Sequence, residues 1–295
     1  MNKLLRTLVA LDLTETDKTI LKTVKKLTEP MGIGNLYFLH IMPDFTVPKD
    51  SDVEFHKLFS PNYPVDEKIK NKLSLDVEEF LGKIPYLEVE VDILEGQPYE
   101  KLLHWLEVKQ IDLLVLGHKK NSLGSGITGK RTARKANTNI LYVPEKLIHP
   151  MTNILVPIDY SELSAHALQQ ALAIAKEMKN ARVTALHVTD QPAAIYYDPT
   201  YETIEFSHLL KDAAVSSYKR FIKDYHFEGK NINPEFIENE MNSFSKHIRE
   251  YALENEMGLI IMGAKGHSGL NSLLFGSVTE SLLERCKEIP IMVVR

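Results

Sequence analysis

The sequence predicts an α/β protein made of two tandem doubly wound domains, each a five-stranded parallel sheet with helices on both faces. Three observations carry this. Strand and helix patterns alternate along the chain, which favours parallel strands joined by crossover helices. Residues 111–116 and 259–262 are nearly all apolar, as strands buried on both faces should be. The pattern also restarts half-way. Asp12 and Asp159 stand 147 positions apart, as do His40 and His187, and Gly117 precedes Gly263 by 146. A period that long marks a duplicated domain and not a solenoid repeat.

The elements follow in order. Residues 4–11 form a first strand ending at Asp12, and 16–28 a helix closed by Glu29, Pro30 and Gly32. Residues 35–41 are a second strand, and 43–64 an irregular stretch with four prolines. A helix over 65–82 has Ile69, Leu73, Val77, Phe80 and Leu81 at helical spacing. Residues 87–94 alternate as a strand, and Gly96, Gln97 and Pro98 turn into a helix that runs through Lys109. Strand 111–116 is ended by Gly117, and a polar glycine loop, a basic helix and strand 139–143 complete the unit. Residues 153–159 then repeat the first strand. The seam lies in the polar stretch 144–150, so the domains are expected at 1–147 and 148–295.

Bulk properties narrow the function. The chain has 295 residues, 44% apolar and 25% charged, which suits a globular protein of two domains. A net charge of −5 gives no electrostatic case for nucleic acid. No apolar run approaches the ~20 residues that span a bilayer. The N-terminal run soon meets Asp12 and no small-residue cleavage site follows, so it reads as a strand and not a signal peptide. The single cysteine, Cys286, excludes an internal disulfide and fits a reducing cytoplasm.

The chemistry-bearing stretch is Gly263-Ala264-Lys265-Gly266, then nine residues, then Gly276-Ser277. It stands between an apolar strand and the helix pattern 278–286. Glycine lets a ligand approach the main chain closely. The N–H groups and dipole of the next helix favour an anion. Ser277 can cap that helix or turn its hydroxyl to a phosphate. The plain alternative is a set of turn glycines with no ligand.

This spacing resembles the ATP-binding signature of the universal stress protein family. The resemblance covers nearly the whole chain as two copies. In the second copy it is carried by residues 154–161, by Ala185-Leu186-His187-Val188, by 259–263, by the glycine signature and by 289–294. It implies a Rossmann-like fold of the adenine nucleotide alpha hydrolase kind, and two copies that pair within one chain. It also implies a binding site for ATP, alone or with Mg²⁺. Pro157 and Asp159 would lie against the nucleoside, and Val188 would offer backbone groups to the adenine edge. Met262 and Gly263 would line the ribose or α-phosphate, while Gly266, Gly276, Ser277 and Val278 would wrap the phosphates. Lys265 reads first as a solvated loop lysine and second as added charge near a polyphosphate.

The first copy departs from the signature. Lys120 replaces the second glycine, Lys130 and Arg131 stand where Gly-Ser belongs, and the loop is about four residues shorter. It is therefore expected to be degenerate for ATP and to serve as a pairing partner. The cations Lys119, Lys120, Lys130, Arg131, Arg134 and Lys135 read first as a solvated helix face and second as a group that attracts some other anion. Residues 124–130 mimic the start of a phosphate-binding P-loop, but Arg131 stands where a hydroxyl must hold Mg²⁺. His40 and His187 lack partners at metal spacing and read as packed, hydrogen-bonded histidines.

No nucleophile, base and orienting group are visible together. The expectation is a cytoplasmic, nucleotide-responsive stress protein with at most slow ATP hydrolysis. The alternatives are a nucleotide-independent interaction module or a true ATP-using enzyme. A further homodimer, and the identity of any protein partner, stay open.

Overall fold

The computed structural model describes residues 5–42, 65–119, 131–132, 134–190, 204–239, 243–266 and 275–295. The chain divides into two compact units, residues 1–145 and 146–295.

The first unit runs β1 (Leu5–Leu11), α1 (Thr16–Thr28), β2 (Ile33–Met42), α2 (Val65–Leu81), β3 (Glu88–Glu95), α3 (Pro98–Val108), β4 (Leu113–His118) and β5 (Asn139–Pro144). Its strands lie in the order β3-β2-β1-β4-β5, all parallel. The second unit repeats the plan with β6 (Asn153–Pro157), α4 (Glu162–Glu177), β7 (Arg182–Thr189), α5 (Ile204–Asp224), β8 (Asn233–Glu238), α6 (Phe244–Glu254), β9 (Leu259–Gly263), α7 (Ser277–Arg285) and β10 (Ile291–Val294). Here the order is β8-β7-β6-β9-β10, again parallel. The chain moves outward over three strands and then returns past the first. Right-handed crossovers therefore set the first two helices of each unit on one face and the last helices on the other.

Burial follows the apolar runs. Every residue of β9 and β10 is buried, whereas the edge strand β3 has no buried residue. Local signals set the helix starts. Pro98 opens α3, where its missing N–H costs nothing. Ser161 caps α4 and accepts the Ser164 N–H at 3.2 Å.

Two local expectations need correction. Gly117 does not end β4: the strand continues to His118, and both residues stay in register with Val143 and Pro144. An extended glycine keeps its ladder bonds, so it stops a strand only when its φ turns. Ser277 is not the cap of α7 but its first residue; Gly276 caps it in extended conformation without a side-chain bond. The Lys120 position, the 124–130 segment and the irregular stretch 43–64 lie outside the described residues.

Candidate functional site

In the second unit, β6 pairs with β7 on one side and β9 on the other. The strand order reverses there, and a crevice opens beyond the carboxyl ends of strands at such a point.

The end of β6 supplies Ile158, Asp159 and Tyr160. Ile158 extends the ladder by donating its N–H to Leu186 O at 2.8 Å. Tyr160 then takes a left-handed conformation, φ 66°. Its ring stacks on His187 at 4.4 Å, and its hydroxyl donates to Ala214 O on α5 at 3.0 Å. Asp159 is fixed by its own turn: its Oδ1 accepts the Ser161 N–H at 3.1 Å and the Ser161 hydroxyl at 2.5 Å.

The end of β7 supplies His187, Val188 and Asp190. Nδ1 of His187 lies 3.0 Å from Ile158 O, and a carbonyl can only accept, so that nitrogen carries the hydrogen. Burial holds the His187 imidazole below its usual range, against the Ile158 carbonyl and the Asp159 charge. In the first unit His40 makes the same bond to Leu11 O at 2.9 Å. Both histidines are thus the hydrogen-bonded strand-end residues the sequence suggests. Asp190 accepts from the buried Asn239 at 3.3 Å, and Asn239 accepts the Ser243 N–H at 2.8 Å, which anchors the start of α6.

The end of β9 supplies the glycine loop. Gly276 donates its N–H to Ala264 O at 2.8 Å, so the loop returns to its own base. Thr279 donates its hydroxyl to Gly263 O at 3.0 Å and ties α7 to the strand end. A side chain at these glycines would crowd its neighbours. A Cβ on Gly263 would lie 2.9 Å from Leu163 Cβ, one on Gly266 2.2 Å from Asp159 Oδ2, and one on Gly276 3.3 Å from Lys265 Cα.

These strand ends line an open cavity of about 500 Å³. All nine residues expected from the sequence line it: Pro157, Asp159, Val188, Met262, Gly263, Gly266, Gly276, Ser277 and Val278. Sequence reasoning did not nominate Asp190, Phe244 or Ile248, which also line it. Phe244 and Ile248 are four apart on α6, a spacing that reads equally well as plain core. Lys265, half-buried, lines it as well. A larger hollow of about 800 Å³ runs along α4 beside residues 225–231, but no glycine lines it.

The matching place in the first unit is differently filled. Lys119, the counterpart of Lys265, forms an ion pair with Asp12, the counterpart of Asp159. Thr14 donates to Asp12 Oδ1 at 2.6 Å, as Ser161 does in the second unit. Burial opposes the charge of Asp12, but the Lys119 and Thr14 hydrogen bonds outweigh it and hold the carboxyl below its usual range. Beneath lies Asp17, where the second unit has Ser164. It accepts the Asp12 and Leu13 N–H groups at 3.3 and 2.8 Å. Burial, seconded by the Asp12 charge, pushes its carboxyl up to about 6 against those two bonds.

Among the described residues no group of three or more His, Cys, Asp or Glu is placed to hold a metal ion. None of the helices described is long and apolar enough to cross a membrane.

Comparison with known proteins adds three findings. The sequence model of the universal stress protein family matches twice, over residues 4–144 and 151–295. Universal stress proteins MJ0531 and MJ0577 of Methanocaldococcus jannaschii are 32% and 28% identical over 144 and 162 residues. Each alignment spans 48% of this chain, and 81% and 93% of those proteins. The crystal structure of a universal stress protein from Archaeoglobus fulgidus covers 98% of both chains with a TM-score of 0.68 at 16% identity, a likeness of fold.

Proposed function

The chain belongs to the universal stress protein family, and on that premise we propose that its C-terminal domain binds ATP and works as a nucleotide-responsive regulatory protein of the cytoplasm. The observation that carries this is convergence. Nine residues spread over 122 positions, from Pro157 to Val278, line one cavity at the sheet's switch point. The cavity is of ordinary ligand size, and its glycines hold the main chain where a phosphate can approach it.

In this reading Pro157 and Asp159 lie against the nucleoside, and Val188 offers its backbone to the adenine edge. Met262 and Gly263 line the ribose or α-phosphate. Gly266, Gly276, Ser277 and Val278 donate to the phosphates, helped by the dipole at the start of α7. Among the described residues the lining sets no base or water-placing group beside the phosphate cradle other than Asp159, whose Oδ1 already accepts from Ser161. A backbone cradle binds nucleotide, but rapid hydrolysis also needs a group that places water and one that stabilises charge. Binding to the folded state alone stabilises it, which makes nucleotide level a conformational input. The first domain, with Lys119 on Asp12, is read as nucleotide-free. Pairing of the two copies within the chain belongs to the same proposal and rests on the family resemblance.

Calorimetric titration of ATP into nucleotide-free protein tests the proposal, with Gly276→Val/Ser277→Ala run beside it. One site per chain, lost in the variant, is expected. Two sites would show that the first domain also binds. No heat and no shift in melting temperature at millimolar ATP would refute it.

One observation favours a second reading, an interaction module that needs no nucleotide. Gly263 and Gly266 each have a reason to be glycine inside the protein, because Leu163 and Asp159 fill the space beside them. That reading expects partner capture to survive Gly276→Val unchanged.

A further inference from the structure

We infer that Lys265 makes this cavity select its ligand by phosphate number, so that the site takes a nucleoside di- or triphosphate in preference to the nucleoside or monophosphate. The inference rests on the nucleotide-site reading above and adds a specificity residue to it.

Charge in the lining leads there. Asp159 and Asp190 both face the cavity, and His187 is held neutral by burial. Among the described residues, Lys265 is the one lysine or arginine in the lining. The start of α7 contributes only about half a positive charge. Against two carboxylates, that dipole alone does not balance a polyphosphate of three or four negative charges. The Lys265 ammonium is then the one full positive charge that the described lining can set beside the loop glycines, where the Asp159 carboxylate also lies against Gly266.

Position supports the same conclusion. Lys265 sits between Gly263 and Gly266, and its Cα is the atom a Cβ on Gly276 would meet at 3.3 Å. The side chain thus starts between the two ends of the glycine loop. The first domain shows how far such a stem reaches. Lys119, at the matching place, extends into the strand-end crevice and ends on Asp12. A lysine at this position is therefore long enough to deliver its ammonium inside the crevice. In the first domain it meets the protein's own carboxylate; in the second it is available to an anion from outside.

The test is titration of adenosine, AMP, ADP and ATP into the full chain, comparing the parent protein with Lys265→Met and Lys265→Arg. In the parent, affinity is expected to rise from AMP to ATP and to fall as salt is added. Lys265→Met keeps the length of the stem and removes its charge. It should weaken ATP about tenfold or more, as loss of one charge-assisted hydrogen bond does. AMP and adenosine should change less than about twofold, and the salt dependence of ATP binding should flatten. Lys265→Arg should retain the preference for ATP. Equal loss for all four ligands would mean that Lys265 only supports the loop, and would overturn the inference. So would a parent protein that binds ATP, ADP and AMP alike. If the parent binds none of the four, the nucleotide-site reading falls, and this inference falls with it.

Discussion

Gly266 lies directly on Asp159: a Cβ there would stand 2.2 Å from Oδ2 of the carboxylate. Asp159 cannot simply swing away, because Ser161 holds its Oδ1 through both N–H and hydroxyl. Gly266→Ala should therefore displace the carboxylate and strain its bonds to Ser161, destabilising the second domain by about 1 kcal/mol, the scale of one hydrogen bond. Asp159→Ala in the same chain should return part of that loss. Urea unfolding of the two single variants and the double variant measures the coupling, and purely additive effects would mean that the two residues do not compete for one space.

The first domain carries a pH dependence that the second lacks, because Asp17 stands where the second has Ser164. Its folded carboxyl is pushed up to about 6, above the unfolded value of 3.8. A raised acid binds its proton more tightly when folded, so protonation favours the fold. The stabilisation is complete below about 3.8 and is lost as pH rises through about 6. Asp12 acts oppositely, since its carboxyl is held low and its contribution is lost only in stronger acid. Between pH 7 and 5 the first domain should therefore gain stability, up to roughly 3 kcal/mol in total by pH 4. Asp17→Asn should remove that slope. Melting curves across this range check it, and an unchanged slope in the variant would place the titrating group elsewhere.

The frame of the fold was legible because parallel strands are buried on both faces and print as apolar runs, as in β9 and β10. The candidate lining was legible for a related reason. Gly263 stands where the chain passes itself closely, and Gly266 and Gly276 where a side chain would crowd Asp159 and Lys265, and that preference survives in spacing. What sequence spacing hides is the identity of the neighbour across the fold. Nothing local pairs Lys119 with Asp12, 107 residues away, or sets Leu163 against Gly263. The left-handed turn at Tyr160 was equally hidden, since tyrosine carries no local preference for it. Spacing also does not tell that Lys265 lines the cavity, because a lysine in a polar loop stands at the surface far more often.

Tyr160 holds the β6 turn through its two ends, the ring on His187 and the hydroxyl on Ala214 O at 3.0 Å. Tyr160→Phe removes only the hydrogen bond, and should cost about 1 kcal/mol. Tyr160→Ala also removes the stack on His187 and the contact with Phe221, 5.7 Å between ring centres, and should cost ~3 kcal/mol or more. Because Asp159 precedes this turn, the alanine variant should also weaken ATP binding while the phenylalanine variant keeps it. Thermal unfolding with and without ATP separates the two effects.

Asn239 is 2% exposed and joins two walls of the cavity, donating to Asp190 and accepting the Ser243 N–H at the start of α6. Asn239→Asp keeps the shape and the acceptor but replaces the amide donor with a second carboxylate beside Asp190. Two acids that close do not both ionise without cost when one of them, at position 239, is buried. The variant should lose ~2 kcal/mol of stability at pH 7 and recover much of it near pH 5, as one carboxyl of the pair takes up a proton. Asn239→Ala should lose a similar amount at both pH values, because it leaves the Ser243 N–H without its acceptor whatever the pH. Urea unfolding of the two variants at pH 7 and 5 distinguishes repulsion from the missing bond, and equal pH behaviour would show that Asp190 and position 239 do not share a proton.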